Sequence, residues 1–270
     1  IAYAMAKIEK RCEDALVLVM PSDHLIVDKE NFVSRIFQGF RLARREQVLI
    51  CLGIKAAYPN TGYGYIQYNI DVCSQDDCGI KKVKLFTEKP AYEMACSFVE
   101  SGDFLWNAGI FIWSLQAIKA AFVKFLPEIT DVILKGRELL DTDQEEAFVE
   151  EAYSICPSIS IDYGIMEKAD NVYVIPSDFG WSDIGTWGAL YNVMNKDENG
   201  NSVVGKNVML YDCTNCLINV PKDRLLVAQG LDDYIIVESE GVVMMCKKGE
   251  EQRIKQFTTD VEIEKGNEYI

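Results

Sequence analysis

Between residues 15 and 53 the sequence alternates two periods that cannot belong to one kind of element. Ala15-Leu-Val-Leu-Val-Met20 is an unbroken apolar run, the pattern of a strand covered on both faces, and Val48-Leu-Ile-Cys-Leu-Gly53 repeats it. Between them, residues 29–46 space Phe32, Ile36, Phe40 and Ala43 along one helix face, and the alanine-rich residues 1–12 also read as a helix. Helix, strand, helix, strand predicts a largely parallel α/β sheet with helices laid on it. In such sheets ligands bind beyond the carboxyl ends of the strands, which is where Asp23 falls, directly after Pro21-Ser22.

Further along, Tyr58-Pro-Asn-Thr-Gly-Tyr-Gly-Tyr65 is turn chemistry opening into Ile66-Gln67-Tyr68. Residues 80–86 alternate and stop at Thr87-Glu88-Lys89-Pro90, so the two segments predict a strand pair inserted beside the main sheet. A helix over 91–101, an apolar strand over 104–113 and a helical period over 115–155 follow. Val172-Tyr-Val-Ile175 is a further buried strand, ending at Pro176, before a helix through about Met194. The polar, turn-rich Asn195–Ser202 is the best boundary, and six short apolar runs after it, with no helical period, predict a small all-β module. The expected division is therefore 1–196 and 201–270.

Composition removes several functions. Of 270 residues 49% are hydrophobic, enough for a real core, while 42 acidic against 27 basic residues leave a net charge of -15. A surface of that sign repels phosphate backbones, so a nucleic-acid partner is not expected. No apolar run approaches the roughly 20 residues of a membrane span. Nine cysteines, an odd and scattered set, read as reduced thiols in a cytoplasm. A zinc site at Cys213-Thr-Asn-Cys216 would need Cys73 and Cys78 as its second pair.

The residues that carry chemistry are few. Asp23 and Asp183 each follow an apolar strand in a loop. If both strands share a sheet edge their carboxylates could hold a hard dication such as Mg²⁺; alternatively each caps the next helix. Glu88-Lys89 sets an acceptor for sugar hydroxyls beside an ammonium for phosphate, although surface Glu-Lys pairs are common. Gly62-x-Gly64 would let backbone approach a ligand, or simply turn a hairpin. The single histidine, His24, has no nucleophile to serve, and packing is the default role for Trp106, Trp113, Trp181 and Trp187.

Taken in order, Pro21-Ser-Asp-His24, Asn60-Thr-Gly-Tyr-Gly-Tyr-Ile66, Phe86-Thr-Glu-Lys-Pro90, Trp106-Asn-Ala-Gly109, Ser160-Ile-Asp-Tyr-Gly-Ile-Met-Glu-Lys168 and Gly180-Trp-Ser-Asp-Ile-Gly-Thr-Trp187 closely resemble the mannose-1-phosphate guanylyltransferases. The match spans essentially the whole chain. The resemblance implies a Rossmann-like nucleotidyltransferase domain followed by a small left-handed β-helix-like domain, and formation of GDP-mannose and pyrophosphate from GTP and mannose 1-phosphate. It implies that Asp23 and Asp183 bind Mg²⁺, that Gly64, Glu88 and Asn107 hold mannose, and that Lys89 takes its phosphate. Asp162 and Lys168 are implied to line the site, and the β module to pair subunits as a homodimer.

The family's glycine-rich loop, which carries an arginine and closes with Leu-Trp-Pro, has no counterpart in these 270 residues, and Ile1 aligns inside the family domain. That loop supplies N–H groups and a cation to the triphosphate, so the domain is expected to be incomplete at its N-terminus and this chain alone to bind GTP poorly. The alternatives are a non-catalytic, nucleotide-sugar-binding relative and a pyrophosphorylase for another hexose 1-phosphate.

Overall fold

The structure, a computed structural model, describes residues 1–74 and 77–269, and the side chains of these outside 70–78. Its elements in chain order are α1 (Ala2–Arg11), β1 (Leu16–Val19), β2 (Leu25–Ile26), α2 (Lys29–Arg45), β3 (Leu49–Lys55), β4 (Gly64–Ser74), β5 (Asp77–Glu88), α3 (Tyr92–Ser101) and β6 (Phe104–Ser114). They continue as α4 (Leu115–Phe125), α5 (Pro127–Lys135), α6 (Glu145–Ile155), β7 (Val172–Ser177), β8 (Trp181–Ser182) and α7 (Trp187–Val193). Then come β9 (Ser202–Val204), β10 (Asn207–Tyr211), β11 (Leu217–Asn219), β12 (Leu225–Gln229), β13 (Tyr234–Ser239), β14 (Val242–Lys247) and α8 (Ile254–Lys265). The chain divides into two compact units, 1–22 with 26–181, and 23–25 with 182–270.

In the first unit a six-stranded sheet runs in the order β1-β6-β3-β7-β5-β4. The continuous apolar strand β3 feeds both faces: Leu49 and Cys51 enter one core with Trp113, Phe122 and Met5, while Ile50 and Leu52 enter the other with Ile36, Leu42 and Phe179. Helix α2 covers the second face so closely that a Cβ on Gly39 would stand 2.5 Å from Ile112 Cδ1. Lys7 of α1 pairs with Asp141 at 2.9 Å and with Glu145 of α6 at 2.5 Å, tying the first helix to a distant stretch of chain.

Three expectations are corrected. The sheet is mixed: among its described pairings only β3–β7 is parallel, because the long β6 runs antiparallel to β1, β3 and β4. The β4–β5 pair lies within that sheet and not beside it, since β4 hydrogen-bonds to β6 and β5 to β7. β1, an edge strand, is half-buried, with Val17 alone inside. The helical period over 115–155 resolves into α4, α5 and α6, with Pro127 opening α5 where its missing N–H leaves no bond unmade.

In the second unit β9, β11 and β13 pair in parallel, β10 and β12 do likewise, and β14 returns antiparallel to β13. Cys216, Ile218, Val220 and Ile236 form one buried cluster and Leu217, Ile235, Val237 and Cys246 another. This unit begins at Ser182, ahead of the polar Asn195–Ser202 break, because Trp187, Tyr191 and Met194 pack on its second cluster. It is not all-β: α8 closes it, resting Ile254 and Phe257 on the same cluster. Only those two apolar residues anchor α8, too weak a stripe to read as a helix beforehand.

Candidate functional site

A polar cluster in the first unit lies where the ends of β4 and β5 meet β6 and the turn after Ile161. Gly64, the first residue of β4, stands opposite Glu88, the last of β5. A Cβ on Gly64 would collide with the Glu88 carboxylate and come within 3.2 Å of Asn107 Cβ, so glycine is what lets these side chains share the space. Asn107 lies on β6 where the register against β3 slips between Cys51 and Gly53, a bulge marked by Gly109 in the left-handed region at φ 68°. Its Oδ1 accepts the Gly109 N–H at 3.1 Å, and its Nδ2 donates to Asp162 Oδ1 at 2.9 Å.

Glu88 is the centre of the group. Its side chain is 8% exposed, Oε1 accepts from Lys89 Nζ at 2.7 Å, and Oε2 is buried without a hydrogen-bond partner among the described residues. A buried carboxylate oxygen left open in this way is a vacant acceptor for a ligand hydroxyl. Lys89 adopts φ 47°, a left-handed turn that brings its ammonium back beside Glu88. The Glu88 carboxylate raises the Lys89 ammonium above its ordinary range, keeping it charged. Burial, reinforced by the Glu88 charge, pushes the Asp162 carboxyl up to about 6, against the opposing bond from Asn107. Beneath them, burial pushes the Cys51 thiol up, so it is no nucleophile.

Asp162 opens a single π-helical turn over Asp162–Met166, an element common at functional positions. Two residues that the sequence reading did not single out belong to this turn and its exit. Glu167 Oε1 accepts the Glu88 N–H at 3.0 Å, and the Tyr163 hydroxyl reaches the Glu88 carbonyl at 3.5 Å. Their one advance signal was membership of the Ser160–Lys168 motif. Lys168 itself is exposed and, among the described residues, makes no bond to this cluster.

Gly64, Glu88, Lys89, Asn107 and Asp162 are thus brought together. Asp23 and Asp183 both belong to the second unit. Asp23 is exposed; Asp183 is half-buried, its Oδ1 accepting the Gly185 N–H at 3.0 Å while Ile184 turns through φ 51°. Neither caps a helix: Asp28 caps α2 and Thr186 caps α7, which removes the alternative drawn from sequence. Among the described residues no group of three His, Cys, Asp or Glu could enclose a metal. Cys213 and Cys216 are buried free thiols, and the side chains of Cys73 and Cys78 lie outside the described residues. A cavity of about 370 Å³ between α1, α4, α5 and residues 156–161 is lined mainly by apolar groups and touches none of these residues. No helix among the described residues is long and apolar enough to cross a membrane.

The sequence model of the nucleotidyl transferase family matches residues 1–200, a stretch that holds the whole mixed sheet and the Gly64, Glu88, Lys89 and Asn107 cluster. The chain belongs to that family. Within it, a mannose-1-phosphate guanylyltransferase of Salmonella montevideo is 33% identical over 272 residues, covering 100% of this chain and 57% of that protein. The alginate biosynthesis protein AlgA of Pseudomonas putida is 33% identical over 258 residues, 95% of this chain and 52% of the relative. Among solved structures, one described as a mannose-1-phosphate geranyltransferase from Thermus thermophilus is similar at TM-score 0.79 and 27% identity, covering 97% of this chain and 75% of that one. The chain spans about half the length of the curated relatives it matches.

Proposed function

We propose that this chain is the catalytic body of a mannose-1-phosphate guanylyltransferase, which joins GTP and mannose 1-phosphate into GDP-mannose. The single observation that carries the sugar half is Glu88: a buried carboxylate with one oxygen on Lys89 and the other open, over a glycine that leaves room for a ring. In this reading Gly64, Glu88 and Asn107 receive mannose hydroxyls and Lys89 its phosphate, with Asp162 and Lys168 lining the site. A phosphate oxygen of the sugar attacks the α-phosphorus of GTP in line; the new P–O bond forms as the bond to the β-phosphate oxygen breaks, and pyrophosphate leaves with that electron pair. No protein nucleophile is needed. Lys89 lowers the repulsion between the two polyanions and holds one of them in place.

Asp23 and Asp183 would hold Mg²⁺. Two carboxylates are hard oxygen donors and too few to enclose the ion, which suits a cation that keeps waters and shares substrate phosphates. Bound there, it supplies charge neutralisation at the reacting phosphates. An odd number of cysteines scattered along a chain of this size suits a reducing compartment such as the cytoplasm.

For the second unit, parallel stacking of β9, β11 and β13 supports coils of a left-handed β-helix, and β10 and β12 expose Met209, Tyr211, Leu225 and Val227 on neighbouring strands. That apolar row suits a second copy of the chain, and sedimentation of a concentration series decides between dimer and monomer.

The function is tested by titrating mannose 1-phosphate into the chain and by following pyrophosphate release from GTP, mannose 1-phosphate and Mg²⁺. Lys89→Ala should weaken sugar-phosphate binding about tenfold or more, as loss of a charge-assisted contact does. Equal binding of glucose 1-phosphate, or an unaffected Lys89→Ala variant, would overturn the reading.

A further inference from the structure

The turn that follows Ile161 grips both halves of the sugar pocket from one side. Asp162 meets Asn107 on β6, and Glu167 and Tyr163 meet the backbone of Glu88 at the end of β5. β5 pairs with β7 at Lys81 and Lys82, well before Glu88, so on that edge the turn's side chains take the place a neighbouring strand would have. What they secure is not relaxed. Lys89 holds φ 47°, a conformation that is strained for a non-glycine residue and persists only where its surroundings over-determine it. The Lys89 N–H is fixed by the Tyr63 carbonyl at 3.2 Å, and the peptide group before it is fixed by Glu167.

We propose that Glu167 is a positioning residue of the sugar-phosphate pocket: by holding the Glu88 amide it keeps the Lys89 turn left-handed, so that the Glu88 carboxylate and the Lys89 ammonium address one ligand. Released, residue 89 relaxes to extended backbone and its ammonium swings away from Glu88. The inference rests on the reading of Gly64, Glu88, Lys89 and Asn107 as the sugar site. Glu167 is exposed, so its truncation opens no cavity, and a purely structural role would leave ligand affinity alone.

The experiment compares the parent chain with Glu167→Ala, Glu167→Gln and Lys89→Ala by two readouts. One is amide hydrogen exchange at Glu88 without ligand; the other is calorimetric titration with mannose 1-phosphate. Glu167→Ala should speed Glu88 exchange and weaken binding by about tenfold, the worth of one hydrogen bond, at unchanged Tm. Glu167→Gln keeps an acceptor oxygen and should restore both. Undiminished protection of the Glu88 amide in Glu167→Ala overturns the proposal, as does unchanged affinity or a glutamine variant no better than alanine. If the parent does not bind mannose 1-phosphate, or Lys89→Ala binds as the parent does, the sugar-site reading falls. The clamp is then judged by exchange alone.

Discussion

At the scale of single residues, the pocket is built from one absence and one misplaced proton. The absence is the Gly64 side chain. Gly64→Ala puts a methyl against the Glu88 carboxylate, which must swing off the pocket floor, so the variant should fold with normal Tm yet lose mannose 1-phosphate affinity at least tenfold. The proton is that of Asp162. Its folded value of about 6 lies above the ordinary carboxylate range, so the folded state binds the proton more tightly. Its contribution is fully present below about pH 4 and is lost as pH rises through 6, by at most roughly 3 kcal/mol. Asp162→Asn should flatten that part of a Tm-against-pH curve, and an unchanged slope would mean that the carboxyl is ordinary. The acid-lysine pair and Asn107 were legible as motifs in the sequence. Glu167 and Tyr163 were not, because their partner Glu88 is 79 and 75 residues away and no local pattern reports a contact of that separation.

At the scale of elements, apolar texture located nearly every strand and helix, since β3, β6 and β7 are buried runs and α2 has a clean stripe. It could not give direction. A strand covered on both faces reads alike in a parallel or an antiparallel sheet, and the antiparallel course of β6 is set by which elements precede and follow it. Helix α1 illustrates a different kind of hold. Lys7, and next the Tyr3 hydroxyl, keep the Glu145 carboxyl down at about 2. This group stabilises the fold above the usual carboxylate range, and that contribution disappears as pH falls toward 2. Lys7→Ala should therefore shrink the loss of stability on acidification between about pH 4.5 and 2, measured by urea midpoints. Identical acid profiles for variant and parent would remove Lys7 from the account.

At the scale of the whole molecule, a net charge of -15 sets the terms on which anionic ligands arrive. Long-range repulsion is screened within about 8–10 Å at physiological salt, whereas the contact proposed with Lys89 would act at hydrogen-bond distance. Mannose 1-phosphate should thus associate faster as salt rises from about 10 to 150 mM, with its dissociation rate little changed. Stopped-flow traces that slow with added salt would show a local positive funnel dominating instead. The loss of helical period after Met194 marks a change of texture, but the second unit begins at Ser182, and the helix that closes it carries too weak an apolar stripe to be read from sequence.

Two of the second unit's three described parallel pairs share one count, while the third, Ser202 beside Leu217, is offset by fifteen. Leu217 stands beside Ile235 and Asn207 beside Leu225, each eighteen residues on. A closed barrel fixes its number of strands, whereas a parallel ladder ends only where something turns back on it, as β14 does antiparallel to β13. Between β10 and β12, and between β11 and β13, a change of eighteen residues keeps that spacing, whereas an insertion of one residue turns a whole row of side chains inside out.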